Sequence, residues 1–242
     1  MRNSSLSGAV TVPRIHRATT LDLRVRPWEW RFAGERHAEI GAHFASQQRE
    51  KPKLWNGRIL LGRNSEFADA RLRADYFEAD FASFLAWRDW GFPDSGVFNG
   101  FGMGALRSTD GAFILGEMGE HTANAGRIYF PSGTPDLSDI SDGTVDIERS
   151  VIREVEEETG LTAADYHAAA HWDCVFSGSS VAMIRILQVD MQSDALRARI
   201  EANLAMQSHP ELAAVHVVRN RGDLTDATPR FVTAFVESQF AA

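Results

Sequence analysis

The N-terminal part of the chain combines helical and strand-like spacing of apolar residues. Ile40 and Phe44 stand at i and i+4 among small and charged neighbours, which is typical of an amphipathic helix. Asp80 is suited to cap a second helix and Gly91 to end it. The predicted elements are a frayed Ser/Gly-rich terminus over residues 1–12, a helix over 35–50, strands over 59–61 and 72–77, and a helix over 80–90. Residues 1–98 are therefore predicted to form a small αβ unit.

The remainder of the chain, residues 99–242, begins with a β-hairpin pattern. Strand-like residues 103–107 and 112–117 flank the turn Ser108-Thr109-Asp110-Gly111. The predicted elements after it are a short strand over 127–130, a long loop over 133–144, a helix over 146–159, strands over 168–176 and 181–190, a helix over 193–206 with Ser193 as its N-cap, a strand over 213–219 and a helix over 228–240. This succession predicts an α+β domain.

Two local compositions each allow a structural and a functional interpretation. The first unit concentrates tryptophans, which more often fill a core or a seam between domains than stack on a base. These residues are Trp28, Trp30, Trp55, Trp87 and Trp90. The glycine-rich stretch over 99–104 precedes a strand and has no helix directly after it. It therefore favours close strand packing or a flexible boundary over a loop that cradles phosphate.

Charge and cysteine usage exclude several kinds of partner. With 33 acidic and 25 basic residues the net charge is −8, so no general attraction to nucleic acid or anionic membranes is expected. Cys174 is the one cysteine, which excludes an internal disulfide and is more typical of a buried strand position than of a catalytic thiol. No apolar stretch reaches the length of a membrane span, and the arginine-containing N-terminus lacks a signal core. A cytoplasmic protein is predicted.

The helix predicted over residues 146–159 carries the most specific pattern in the chain. Glu154, Glu157 and Glu158 stand at i, i+3 and i+4, so their carboxylates share one stripe of the helix. An apolar stripe lies beside them, and Gly160 supplies a residue that tolerates positive φ at the helix end. Acidity alone favours a solvated face. The spacing instead favours a site for a hard divalent cation such as Mg²⁺, which prefers oxygen ligands.

The nine residues Arg153-Glu154-Val155-Glu156-Glu157-Glu158-Thr159-Gly160-Leu161 resemble the C-terminal half of the Nudix box at every specified position. The front half departs from the family pattern. Val145 stands where the family has its first glutamate, and Gly133, the glycine that would open the box, lies farther upstream than the family spacing. The resemblance therefore implies an expanded loop over residues 133–144. The first glutamate is absent or is replaced by Asp142 or Asp146.

The resemblance implies a Nudix fold, in which helices sandwich a mixed sheet, and a pyrophosphohydrolase activity. The three glutamates and the carbonyl of Gly133 would bind Mg²⁺, with Mn²⁺ as the alternative. Arg153 would orient a carboxylate and relieve repulsion within the acidic stripe. Members of the family often recruit one more acidic residue from the loop before the last strand, where Glu211 is suitably placed. The alternative for Glu211 is an ordinary surface loop.

A weaker similarity points to one Nudix subgroup, which includes the animal pyrophosphatases for UDP-glucose and UDP-galactose. It is carried by residues 51–57, 80–90, 102–105 and 131–136. It implies a small-molecule nucleoside diphosphate derivative as substrate, with a nucleotide sugar favoured over ADP-ribose or another nucleotide. The irregular loop also motivates a Nudix-fold module that binds a nucleotide without hydrolysing it. The oligomeric state stays open, with a homodimer as the option common in the family.

Overall fold

Thirteen strands and six helices make up residues 12–241, which the computed structural model describes. The strands are β1 Arg14–Ala18, β2 Thr20–Val25, β3 Arg58–Ala68, β4 Arg71–Asp80, β5 Val97–Arg107, β6 Phe113–Met118, β7 Ile128–Tyr129, β8 Ile140–Ser141, β9 Thr144–Val145, β10 Tyr166–Ala168, β11 Trp172–Ser177, β12 Ser180–Val189 and β13 Leu212–Val218. The helices are α1 Arg31–Glu35, α2 His37–Glu50, α3 Phe81–Asp89, α4 Ile147–Thr159, α5 Ser193–Met206 and α6 Arg230–Phe240. The predicted α+β class is confirmed. The terminus predicted to fray lies outside the described residues, apart from Val12.

The strands join in one mixed sheet with the order β1-β11-β12-β5-β3-β4-β2-β9-β8, and β6, β7, β10 and β13 pair beside this path. Strand β5 runs parallel to β12 and antiparallel to β6. It meets β3 through two residue pairs, Gly62 with Phe98 and Arg63 with Val97. The boundary predicted between residues 98 and 99 falls inside β5, and β1 pairs with β11 across it. The division into two units remains a prediction.

The apolar stripe of α4 packs directly on glycines of β5. A Cβ at Gly102 would lie 2.5 Å from Val151 Cγ2, and one at Gly104 would lie 2.6 Å from Val155 Cγ2. Any larger residue would therefore push the helix away from the sheet. The glycine-rich stretch over residues 99–104 thus allows close packing of α4 on β5, as one of the two structural interpretations of its sequence predicted. It brings the backbone of α4 unusually near to the sheet.

A second core lies between α2, α3 and the sheet. Trp30 and Trp87 are buried in it, as predicted for the tryptophans. The side chain of Asp80 caps α3 by accepting from Ser83 N, and Gly91 follows the helix with φ +80°. Trp55 departs from the prediction because it is 81% exposed.

Two predicted details are wrong. The strand predicted over 168–176 is broken into β10 and β11. Ala168 pairs with Leu187, and Asp173 pairs with Ile184. Between these two pairs the stretch from β10 to β11 has two more residues than β12, so it must bulge away from the ladder. The predicted N-cap Ser193 is instead the first helical residue of α5, after Gln192. The reason is tertiary, because Ser193 donates from its backbone N–H and its hydroxyl to Asp110.

The long loop over residues 133–144 contains short regular structure. A 3₁₀ turn over Leu137–Asp139 leads into a small hairpin of β8 and β9. Asp142 and Gly143 form its turn, both at positive φ. Elsewhere, no helix between residues 12 and 241 combines the length and the apolar character that a membrane crossing requires.

Candidate active site

Helix α4 has the ends that its sequence predicts. The side chain of Asp146 caps its first turn by accepting from Arg149 N at 2.9 Å. Gly160 ends it in the left-handed region at φ 72° and donates to Glu156 O. A side chain at Gly160 would also meet Asn203. The helix is thus fixed in length and rotation, which determines where its glutamates lie.

The three glutamates of α4 differ sharply in exposure. The Glu158 residue is 3% exposed, whereas the Glu154 and Glu157 side chains are 12% and 61% exposed. The carboxylate of Glu158 accepts from the backbone N–H of Ser132 at 3.4 Å. A solvated acidic face would leave all three carboxylates in water. Two of them are withdrawn from it, which is costly unless opposite charge compensates them.

Burial and mutual repulsion make the two inner carboxyls hard to ionise. Burial raises the pKa of Glu154 to about 7, and the nearby Arg153 guanidinium opposes this effect. Burial also raises the pKa of Glu158 well above its ordinary value, and the charges of Glu154 and Glu211 raise it further. Such shifts are common where several carboxylates share one site.

Glu211 lies on the loop before β13, as the sequence placed it, and its charge acts on the same cluster. It raises the pKa values of both Glu154 and Glu158. The side chain is exposed, while its backbone carbonyl accepts from Gly119 N at 2.7 Å. The structure therefore brings Glu211 to the same side as the inner glutamates of α4.

Gly133 lies directly against the carboxylate of Glu154. A Cβ at this position would collide with that carboxylate. The segment before it is fixed to the sheet, because Gly104 N donates to Pro131 O at 3.0 Å. Gly133 is therefore needed for close approach of the loop to α4, since its φ is not in the positive range.

Arg153 connects α4 with the loop. Its Nη1 donates to Glu154 Oε1 at 2.7 Å, and its Nη2 pairs with Asp139 Oδ2 at 3.2 Å. Glu157 lies 3.6 Å from the same guanidinium. The predicted orienting contact with a carboxylate is thus present. It is made to Glu154 more closely than to Glu157.

Asp139 is the loop carboxylate that the sequence did not identify. It is 1% exposed and supports the loop by accepting from Asp136 N at 3.0 Å in addition to pairing with Arg153. Of the two replacements suggested from sequence, Asp142 forms an exposed turn and Asp146 caps α4. Whether either takes the place of the first glutamate, or neither does, stays a prediction. The pattern Asp-x-x-Asp of a capping box, which the structure contains at 136–139, was the available signal.

Tyr129 lies near the carboxylates of α4, and a hydrogen bond fixes its hydroxyl. Its hydroxyl accepts from Asn124 Nδ2 at 3.0 Å, and Asn124 in turn accepts from Arg88 Nη1 at 3.3 Å. Burial raises the pKa of Tyr129, and the charge of Glu158 adds to this effect. The tyrosine therefore stays neutral and forms a fixed wall beside the cluster.

The oxygen atoms of the glutamates of α4 suit a hard divalent cation, but their side chains do not point to one common position. Within residues 12–241 no three His, Cys, Asp or Glu side chains are grouped so that they hold a metal ion. Glu154 is turned toward Arg153, and Glu157 points toward solvent. Oxygen donors, two buried carboxyls with raised pKa values and a glycine that leaves space beside them fit Mg²⁺ in chemistry. Rotation of exposed Glu157 would be needed to complete the group.

A separate cavity lies at the far end of the β3–β4 hairpin. Its volume is about 260 Å³, and its lining is Glu66, Ala68, Asp69, Arg71 and Arg73. None of these residues belongs to α4 or to the loops around it. The cavity is therefore not the space in which the carboxylates of α4 would act.

No protein-family model and no curated protein matches the chain. Among solved structures it is similar to a Nudix hydrolase from M. smegmatis, RenU, at 14% identity over 59% of this chain and 83% of that chain, with a TM-score of 0.37. It is also similar to a MutT protein from Methanosarcina mazei Go1, at 17% identity over 60% of this chain and 94% of that chain, with a TM-score of 0.38.

A third similar structure is a bifunctional NMN adenylyltransferase/ADP ribose pyrophosphatase from Francisella tularensis, complexed with AMP and Mn ion. It has 12% identity over 64% of this chain and 46% of that chain, with a TM-score of 0.39. At this level of similarity these structures determine neither the family nor the activity of the chain. The residues of α4 and its neighbouring loops carry the functional conclusion.

Proposed function

We propose that the chain is a metal-dependent pyrophosphohydrolase of the Nudix type that cleaves the diphosphate of a nucleoside diphosphate derivative. The observation that carries this proposal is the burial of Glu154 and Glu158 on a helix whose sequence, from Arg153 to Leu161, matches the box at every specified position. Buried carboxylates at i and i+4 are costly in a structural helix and useful in a cation site. The products would be a nucleoside monophosphate and a phosphorylated second group.

Each residue of the cluster has a role in this proposal. The divalent cation, held by Glu154, Glu157, Glu158 and the carbonyl of Gly133, would offset phosphate charge and lower the pKa of water. Arg153 orients Glu154 through its 2.7 Å hydrogen bond. A proton leaving the attacking water needs a carboxylate as acceptor.

Two carboxylates are candidates for that acceptor. Glu211 is exposed, and its charge acts on Glu154 and Glu158. Burial raises the pKa of Glu154 to about 7 in the absence of metal, and a bound cation would lower this pKa, so Glu154 would act as the base only where the other ligands hold the cation. We therefore assign the base to Glu211, with Glu154, which is also a ligand of the cation, as the alternative.

A nucleotide sugar such as UDP-glucose is the favoured substrate, on the strength of the subgroup similarity. ADP-ribose and other nucleotides are the alternatives. A module that binds a nucleotide without hydrolysis is a second candidate, favoured by the lack of three converged ligands within residues 12–241. The three retained glutamates favour hydrolysis over this candidate. A cytoplasmic location and a homodimer belong to the proposal as well.

The test is a panel of UDP-glucose, ADP-ribose, NADH, diadenosine polyphosphates and dNTPs, each with Mg²⁺ or Mn²⁺, and with product identification by chromatography. We expect turnover of at least one diphosphate-linked substrate to a nucleoside monophosphate, abolished by EDTA. If no substrate is turned over while calorimetry detects nucleotide binding that EDTA does not change, the non-catalytic module is the correct function.

A further inference from the structure

The connection between α2 and β3, residues 51–57, is fixed at its start to the Glu211 side of the site. The Lys51 ammonium donates to the carbonyl of Thr122. Thr122 donates to Gly119 O from both its backbone N–H and its hydroxyl, at 3.0 and 2.9 Å. Gly119 N then donates to Glu211 O at 2.7 Å. Three successive contacts therefore couple the position of the connection to that of Glu211.

At its other end the connection is fixed to the start of α3, because Gly57 O accepts from Phe81 N at 2.9 Å and Asn56 Oδ1 accepts from Ala82 N at 2.8 Å. Strand β3, which follows directly, is fixed to the Gly133 side of the site. Leu60 N donates to Pro135 O at 2.8 Å, and Ile59 forms a bridge with Asp136. Pro135 follows Gly133 by two residues, and Gly133 lies against the Glu154 carboxylate. The chain from Lys51 to Leu60 thus runs from a contact on the Glu211 side of the site to contacts on the Gly133 side.

Trp55 stands near the middle of this span and is 81% exposed, in contrast to the buried Trp30 and Trp87. A Cβ at Gly57 would lie 3.1 Å from Trp55 Cδ1 and 3.2 Å from its Nε1. One edge of the indole therefore rests near the Gly57 backbone, while most of the ring faces solvent. An aromatic ring held in this way is suited to stack on a planar ligand, because base stacking does not require a deep pocket.

The same connection holds both lysines of the chain. Of the 25 lysine and arginine residues, Lys51 and Lys53 are the two lysines. Lys51 is committed to Thr122, whereas Lys53 is exposed beside Trp55. An ammonium on a flexible stem is a compact, mobile partner for phosphate. In a chain of net charge −8, an exposed ammonium on this connection would attract an anionic ligand locally.

We propose that residues 51–57 form a recognition arm for the nucleotide half of the substrate, in which Trp55 stacks on the base and Lys53 pairs with phosphate. This inference rests on the proposed function, because it places the scissile diphosphate over α4. It assigns to the N-terminal region a role in substrate selection. The arm selects substrates that carry an aromatic base, whatever group is attached to the second phosphate.

The test compares binding of UMP, AMP and ribose 5-phosphate by calorimetry to the full chain and to Trp55→Leu, Trp55→Phe and Lys53→Ala. We expect Trp55→Leu to weaken UMP and AMP binding by at least about fivefold and to leave ribose 5-phosphate unchanged, since stacking on a base is what it removes. Trp55→Phe keeps a planar ring and should retain most of the affinity. Lys53→Ala should weaken all three ligands, because all carry phosphate. Thermal melts establish that each variant is folded.

Several outcomes would overturn the arm. One is equal affinity of wild type and Trp55→Leu for UMP, and another is an equal loss for ribose 5-phosphate. A third is conversion of a dimer to a monomer at unchanged nucleotide affinity, which would make Trp55 an interface residue between copies of the chain. Hydrolysis assays separate this failure from that of the proposed function. If Trp55→Leu turns over substrate with an unchanged KM, the recognition arm is refuted and the proposed hydrolase activity stands. If the wild type binds nucleotides through the base but turns none over, the hydrolase activity is refuted and the arm stands.

Discussion

Helix α4 and the loop over residues 133–144 face each other across Arg153 and are held in place by different forces. The helix is held by apolar contact with the glycines of β5, and its inner carboxylates are carried into the protein with it. The loop is held by polar contacts, chiefly those of Asp139 and the hydrogen bond from Leu60 to Pro135. Packing of α4 on the sheet therefore fixes the positions of the inner carboxylates. Hydrogen bonds of the loop over residues 133–144 determine how closely a ligand can approach them, and a few substitutions can change these bonds.

The sharpest way to break the helix side is Glu158→Gln. We expect kcat to fall by at least about a hundredfold with Mg²⁺ present, because an inner oxygen ligand loses its charge. The same change should raise the melting temperature in EDTA at neutral pH, because folding then no longer has to bury a carboxyl that is ionised in the unfolded chain. Steady-state kinetics and calorimetric melts measure the two effects. Loss of activity together with loss of stability would show that Glu158 is a structural residue.

The contact between helix and loop is tested by Gly133→Ala. The added methyl would collide with the Glu154 carboxylate and move it or the loop. We expect roughly tenfold weaker Mg²⁺ activation, as for other changes beside metal ligands. The unfolding free energy should change by less than about 1 kcal/mol, because the displaced atoms are the end of a flexible side chain. Gly41→Ala in α2 is the matched control, because no atom lies within 4 Å of its added Cβ. That variant should be stabilised by about 0.5–1 kcal/mol. Equal effects of the two substitutions would contradict the close approach.

The loop side is tested by Asp139→Asn. The variant keeps the shape but removes the charge that faces Arg153, so we expect a loss of about 2 kcal/mol in the free energy of unfolding by urea. Asp142→Asn, on the exposed turn of the same loop, should change stability by less than about 0.5 kcal/mol. If the two variants unfold alike, Asp139 does not support the loop.

The raised pKa values of the inner glutamates also predict a pH dependence of stability in EDTA. Burial raises the pKa of Glu154 to about 7 and that of Glu158 well above its ordinary value, so the folded state binds their protons more tightly than the unfolded state does. The contribution of each residue to stability is fully present below the unfolded pKa, 4.5. For Glu154 it is lost as the pH rises through about 7. Urea unfolding at pH 4.5, 6 and 8 should therefore show a smaller fall in stability for Glu154→Gln than for wild type. A fall of the same size in both proteins would contradict the assigned shift.

Local features of the sequence were sufficient to predict α4 and its ends. The apolar stripe and Gly160 are local features, so the extent of the helix is readable without tertiary structure, whereas the cap by Asp146 was not predicted. The cap by Asp80 at the start of α3 is local as well and was predicted. The placement of Glu211 beside the glutamates of α4 also agrees with its position before the last strand, while its role stays a prediction.

Features that depend on distant partners were not predictable. Asp139 is buried because Arg153, on another element, pairs with it. Ser193 is not a cap because Asp110 accepts both of its donors. The exposure of Trp55 depends on contacts that place its whole connection along the site. In each case the deciding contact lies far away along the chain, where periodicity carries no information.

The spacing of the carboxylates on α4, and not the number of acidic residues there, is what we propose creates the metal site. Glu156 and Glu157 test it most directly, because they are adjacent and exposed and only Glu157 belongs to the i, i+3, i+4 set. The measurement is kcat with Mg²⁺ for Glu156→Gln and Glu157→Gln on the best substrate of the panel. We expect kcat to fall by at least about tenfold in Glu157→Gln and to change by less than about twofold in Glu156→Gln. Equal rates for the two variants would contradict it.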